Sequence, residues 1–249
     1  MKIMKQFAIV LTAVTMSFAS CKKDDVNSSL NNETSKNETA ARAANPKVFP
    51  PKAHMYDYSY AEWSARWWKW ALELPPVANH PFNDDPGFDV TMGQSGEVWF
   101  LAAPFGTVVR TCTIPADKAL FVAIINAEAS DLEGLGNNEA DQITNAHYLA
   151  SHIITAALNF TVDGNVIDNI SSSYLFVSPQ FSFVAPTPWY FGATGGNGTA
   201  VGDGYYVMVK PLSSGQHTIH FGGEFLFTLA NDGFDLDLPL DMTYHLTVQ

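Results

Sequence analysis

Arg66 and Arg110 are the only arginines after residue 48, and each sits where a guanidinium needs a partner. In a strand, Arg110 shares a face with Val108, Cys112 and Ile114. If that face is the core, its charge is partly buried and calls for a carboxylate. Glu128 and Glu62 are the candidates. Such a pair would lock a helix to a sheet, or hold an arginine in a cleft for an anion or a sugar hydroxyl. Trp189-Tyr190-Phe191 lies between Pro188 and Gly192, where ring faces can stack on a pyranose or pin a long loop. Asn83-Asp84-Asp85 offers acceptors for hydroxyls or a cation within the loop from Pro75 to Gly96. The ligand-binding candidates are therefore Trp189, Tyr190, Asn83, Asp84, Asp85, Arg66, Arg110 and Glu128. A shallow site made of the two loops requires that they lie at the same end of the fold.

Other reactive side chains form no recognised pattern. The seven histidines have no metal-binding spacing. His217 and His220 fall on opposite faces of a strand, and His147 and His152 on different sides of a helix. Asp232, Asp235, Asp237 and Asp241 lack the glycine and distal glutamate of a calcium loop. No cofactor is expected, and a structural calcium ion is the one metal to look for. Cys112 is flanked by Thr111 and Thr113 with no activating base, and reads as a small core residue. There is no Gly-x-Ser-x-Gly, phosphate loop or Gly-x-Gly-x-x-Gly in a strand-to-helix setting. Paired carboxylates for glycoside hydrolysis are recognised by their separation in space, which a sequence does not give.

The elements that must position these groups are mostly strands. Ser59 to Leu74 is the best helix: Ser59 and Glu62 form a capping box, and Pro75-Pro76 stops it. Trp63, Trp67, Trp70 and Leu74 make one stripe, beside the i,i+4 pairs Glu62–Arg66 and Lys69–Glu73. A second helix is expected from about 138 to 158, with Ile143, Ala146, Ala150, Ile154 and Ala157 on one side. Strands are expected at 97–103, 107–114, 118–126, 159–162, 166–170, 174–184, 205–210, 217–221, 224–229 and 242–248, with a hairpin at Asp163-Gly164. The run at 118–126 is apolar on both alternating sets and must be covered on both sides, by a sheet on one and a helix on the other. Residues 192–204 and 231–241 read as loops, the first mobile and glycine-rich, the second acidic. The fold expected is an antiparallel, jelly-roll-like β-sandwich decorated by two helices.

The N-terminus carries an address. Lys2 and Lys5, an apolar run from Phe7 to Phe18, then Ala19 and Ser20 are laid out as an export signal over 1–20. The cut falls before Cys21, with Lys22-Lys23-Asp24-Asp25 behind it. This resembles the lipobox of bacterial lipoproteins and the surface-export signal of Bacteroidota lipoproteins. The resemblance implies lipidation at Cys21 and an outer-membrane location at the cell surface. Residues 21–48 are too poor in large apolar side chains to fold and form a tether, leaving a domain over 49–249. The formal charge is −12. Losing residues 1–20, with Lys2 and Lys5 and no acid, takes it to −14. That excludes a nucleic-acid partner, which needs a basic footprint, and leaves the lipid as the contact with membrane.

Trp63-x-x-Arg66-Trp67-Trp68-x-Trp70, Gly96-x-Val98-Trp99-Phe100-Leu101, Arg110-x-Cys112-x-Ile114-Pro115 and Gly215-x-His217-x-Ile219-x-Phe221-x-Gly223 together resemble a family of secreted bacterial proteins. The resemblance spans 56–249 and implies no particular activity. The sequence therefore points to a surface lipoprotein, more a binder than an enzyme, whose extracellular ligand is a glycan. A cell-surface hydrolase of glycan or peptide, and a structural envelope protein, are the alternatives.

Overall fold

The computed structural model describes residues 47–77, 80–83, 89–192 and 194–249. Cys21, Asp84 and Asp85 lie outside them. The domain is a β-sandwich with few helices, made of two five-stranded sheets. The first holds β1 (Val98–Leu101), β3 (Ala119–Ser130), β8 (Gly196–Val209) and β6 (Leu175–Val177) in that order, with β7 (Phe181–Ala185) also on β8. The second runs β2 (Gly106–Ile114), β10 (Leu236–Val248), β9 (Gly215–Phe227), β4 (Asn159–Val162), β5 (Asn165–Val166). Most ladders are antiparallel, but β1–β3 and β2–β10 are parallel.

Helix α1 (Tyr60–Glu73) starts at the expected capping box and ends before Leu74. Trp63, Trp67, Trp68 and Trp70 are all buried. Their indole N–H groups donate to Met55 O, Leu101 O, the Tyr206 hydroxyl and Met92 O, so no buried donor on this helix is wasted. β3 is covered as its pattern requires. Phe121 on one face meets the Tyr60 and Trp63 rings, and Ile125 on the other faces Gly223 of the second sheet.

Several boundaries differ from expectation. Lys47 and Val48 already pair with the end of β8, so the folded unit begins before residue 49. The second helix, α2 (Glu139–Ala150), is shorter and buries Gln142, Ala146, Leu149 and Ala150, leaving Ile143 exposed. Ile153 and Ile154 leave it to pair with Phe225 and Glu224. Two short helices, α3 (Ile170–Ser173) and α4 (Leu229–Asp232), follow among the described residues. The glycine-rich stretch is strand β8, because partners occupy the space a side chain would need. A Cβ on Gly202 would lie 2.3 Å from Trp68 Cδ1, and one on Gly198 2.7 Å from Phe183 Cζ. The acidic stretch is the first half of β10, where Asp237 and Asp241 point outward between buried or half-buried leucines. Pro239 is tolerated there because the ladder to β2 begins only at Leu240.

Candidate binding site

Three of the expected site residues, Asn83, Arg110 and Tyr190, meet at the turn 80–83. Arg110, on β2, is buried and donates to Ala102 O (3.1 Å), the Tyr244 hydroxyl (3.0 Å), Pro81 O (3.1 Å) and Asn83 O (2.7 Å). These partners, all among the described residues, are carbonyls and a phenol. The expected carboxylates are engaged elsewhere: Glu62 caps α1, and Glu128 sits with Glu133. Tyr190 stacks on His80 with ring centroids 4.2 Å apart and donates to Phe82 O. So the two loops do lie together. Trp189, however, is only 3% exposed and donates to Leu72 O, which takes its ring away from any sugar. His80 is fully buried, and burial lowers its pKa to about 4. It stays neutral, with Nδ1 accepting from Phe82 N and Nε2 facing Ala71 O. These groups turn inward and make the turn rigid. Arg66 is exposed but lies 3.6 Å from the centroid of the Tyr58 ring. The Cys112 thiol is pushed up to about 11 by burial, against the pull of Arg110, and does not form a thiolate at neutral pH.

The groups that remain available lie on the outer face of the second sheet, which no helix covers in the described residues. Strand pairing sets them in rows. Thr113, Thr247 and Gln216 make one row, and Thr111, His245 and Thr218 the next. Val109, Thr243, His220 and Thr161 follow, then Thr107, Asp241, Gly222 and Asn159. Rows are about 7 Å apart along the strands and columns about 4.8 Å across them. Gln216 donates to the Thr247 hydroxyl, His220 pairs with Asp241 at 2.6 Å, and Thr218 lies 3.4 Å from His245. At one end of this face Asp163, Gly164, Gln216, His217, Thr218 and His245 line an open groove of about 610 Å³.

The base of that groove is an ionic knot. Burial opposes the charge of Asp163, but Lys47, His217 and the Thr218 N–H hold its pKa at about 2. His217 Nδ1 faces Asp163 at 2.9 Å and Nε2 faces Ser213 O at 2.8 Å. Asp163 and Ser213 O both accept hydrogen bonds, so each ring nitrogen faces an acceptor. The Ser213 hydroxyl is 3.4 Å from Nε2. The serine–histidine–aspartate order is present, yet Nε2 faces the Ser213 carbonyl more closely than its hydroxyl, which is not the arrangement of a base poised on a serine. His245, Gln216 and Thr218 keep the unused hydrogen-bonding capacity. Sequence reading missed this face because it gave 107–114, 217–221 and 242–248 as separate strands, without the pairing that sets them side by side. The signal was there in the strict alternation of 236–248.

Glu128 lies on the first sheet, under α1, and is 6% exposed. Burial, then the Glu133 charge and a hydrogen bond to that carboxyl, then Asp131, raise its pKa well above the ordinary 4.5. The two carboxyls are hydrogen-bonded to each other. That contact is far closer than the roughly 5–9.5 Å separating glycosidase carboxylates, so no sugar ring fits between them. A raised folded-state pKa contributes stability that is complete below the unfolded value. It is lost as pH rises toward the folded one. Glu128→Gln keeps a donor for Glu133 without a titrating proton. Its melting temperature should therefore gain on wild type steadily as pH is raised from 4 to 8. Parallel melting curves across that range would show that Glu128 is not held protonated by the fold. Among the described residues no three His, Cys, Asp or Glu side chains are grouped to hold a metal ion. Asp232 instead accepts from Tyr148, His152 and Thr228 N, and Asp235 from Leu229 N.

No family model and no curated protein matches this chain. Similar solved structures include the cysteine protease inhibitor EhICP2 from Entamoeba histolytica, 14% identical over 56% of this chain and 86% of its own, with a TM-score of 0.20. Amebosin is 12% identical over 56% of this chain and 89% of its own, with a TM-score of 0.17. Likeness at this level carries no argument about what the chain does.

Proposed function

We propose that this chain is a lipoprotein held at the outer cell surface through Cys21, whose β-sandwich binds a glycan on the outer face of the second sheet. The observation that carries the reading is the exposed grid of hydroxyl, imidazole and amide groups around His245, Thr218 and Gln216, beside an uncovered groove. Such groups donate and accept in turn, which suits a ligand that presents many hydroxyls. An open face admits a chain-like ligand without any lid having to move. The net charge of −12 fits a neutral or amino sugar better than an acidic one. Residues 22–249 should bind members of a glycan array, and His245→Ala with Thr218→Val should weaken that binding about tenfold, the loss of roughly 1.4 kcal/mol of hydrogen bonding. The double variant should melt with wild type, since both side chains face water. An array with no hits, or variants that bind as wild type does, would defeat the reading. In cells, Cys21→Ser should release the protein from membranes or leave it unprocessed.

A further inference from the structure

Of the ends of the two sheets, three are blunted and one is bare. At β1, the Gln94 amide bonds both Phe100 N and Phe100 O, standing in for a neighbouring strand. At β7, the Lys69–Glu73 pair of α1 does the same: Lys69 donates to Ser182 O and Glu73 accepts from Val184 N. Its neighbour β6 has three residues, and β5, at the far end of the second sheet, has two. These are the usual defences against edge-to-edge pairing. The fourth edge, β2, has nine residues and is paired on one side only, to β10. Among the described residues nothing is hydrogen-bonded to Thr107, Val109, Thr111 or Thr113 on the side away from β10. Their side chains are uncharged and, like those of a strand already in a sheet, β-branched. Val109 is 62% exposed and Phe105, just before the strand, 40%.

We propose that β2 is a self-association edge, pairing antiparallel with β2 of a second copy about a two-fold axis at Val109. An isologous pair must be complementary to itself. In this register Val109 faces Val109, Thr107 faces Thr111, and Phe105 faces Thr113. Arg110 meets Val108, so the one charge in the strand is not set against its own copy. An axis one residue on, at Arg110, would oppose two arginines. The pairing covers the two most exposed apolar side chains near this edge and satisfies its open backbone groups. It joins two second sheets into one ten-stranded sheet, so the outer rows run on from copy to copy.

The test is cysteine cross-linking of the full chain in the cells that export it. In an antiparallel pair, Val109→Cys brings the two Cβ atoms near the distance a disulfide needs. It should yield a covalent dimer on non-reducing gels as the predominant species. Wild type, whose Cys112 faces inward, and Thr243→Cys, one strand in on the same face, should yield none. Adding Thr111→Lys to Val109→Cys should abolish the cross-link while leaving the melting temperature unchanged. A monomeric Val109→Cys chain, or equal cross-linking from Thr243→Cys, would overturn the proposal. Because the readout is assembly, either result leaves the glycan question to its own experiment.

Discussion

Trp67→Ala should destabilise the domain by about 3–5 kcal/mol, the range for removing a large buried aromatic side chain. Trp67 is 1% exposed and sits at the centre of the interface between α1 and the first sheet. Its ring lies 5.0 Å from Trp68, 6.0 Å from Trp70 and Phe82, and 6.4 Å from Tyr206. Its Nε1 donates to Leu101 O at 3.1 Å, and that carbonyl loses this donor in the variant. Relaxation is limited on the sheet side, because the neighbouring Trp68 is seated on Gly202, with no spare room beneath it. Urea denaturation read by tryptophan fluorescence gives the number. A loss below 1 kcal/mol would mean that α1 is held by its ends, not by its indoles. Trp67→Phe should recover part of the loss while still leaving Leu101 O without this donor. The difference between the two variants then separates packing from the hydrogen bond.

How far the sequence carries depends on what kind of signal an element leaves. The capping box at Ser59 and Glu62 and the proline stop are local, so α1 was legible at both ends. The doubly apolar run of β3 required cover on both faces, and it has helix on one and sheet on the other. β8 was not legible. Gly198, Gly202 and Gly204 look like a flexible loop until the bulky partners are known, and those partners are Phe183, Trp68 and Asn126. The information lies in residues 15 to 134 positions away. For the candidate site, the sequence brought the loops of Asn83 and Tyr190 together but misjudged the direction of their groups, and it expected for Arg110 a carboxylate where the structure has the carbonyls of this turn. Side-chain type does not say whether a group points to water or to a carbonyl. His80, Pro81 and Phe82, which receive those contacts, carried no chemical signal of their own. The outer-face grid needed only the period-two pattern of β9 and β10 and the pairing between them. The first was in the sequence and the second was not.

Arg110→Met should cost about 3–5 kcal/mol, read by urea denaturation. Arg110 is 6% exposed, and its guanidinium donates to four oxygens: Ala102 O, Pro81 O, Asn83 O and the Tyr244 hydroxyl. Leaving a buried acceptor unsatisfied costs about 1–3 kcal/mol, and Ala102 O keeps one donor, Tyr244, at 2.5 Å. The remaining cost falls on the turn at 80–83, which should exchange its amide hydrogens faster and become sensitive to proteases. Arg110→Lys keeps the charge but offers a single point of donation in place of a planar fork. It should lose most of the same stability, which a purely electrostatic role for Arg110 would not allow.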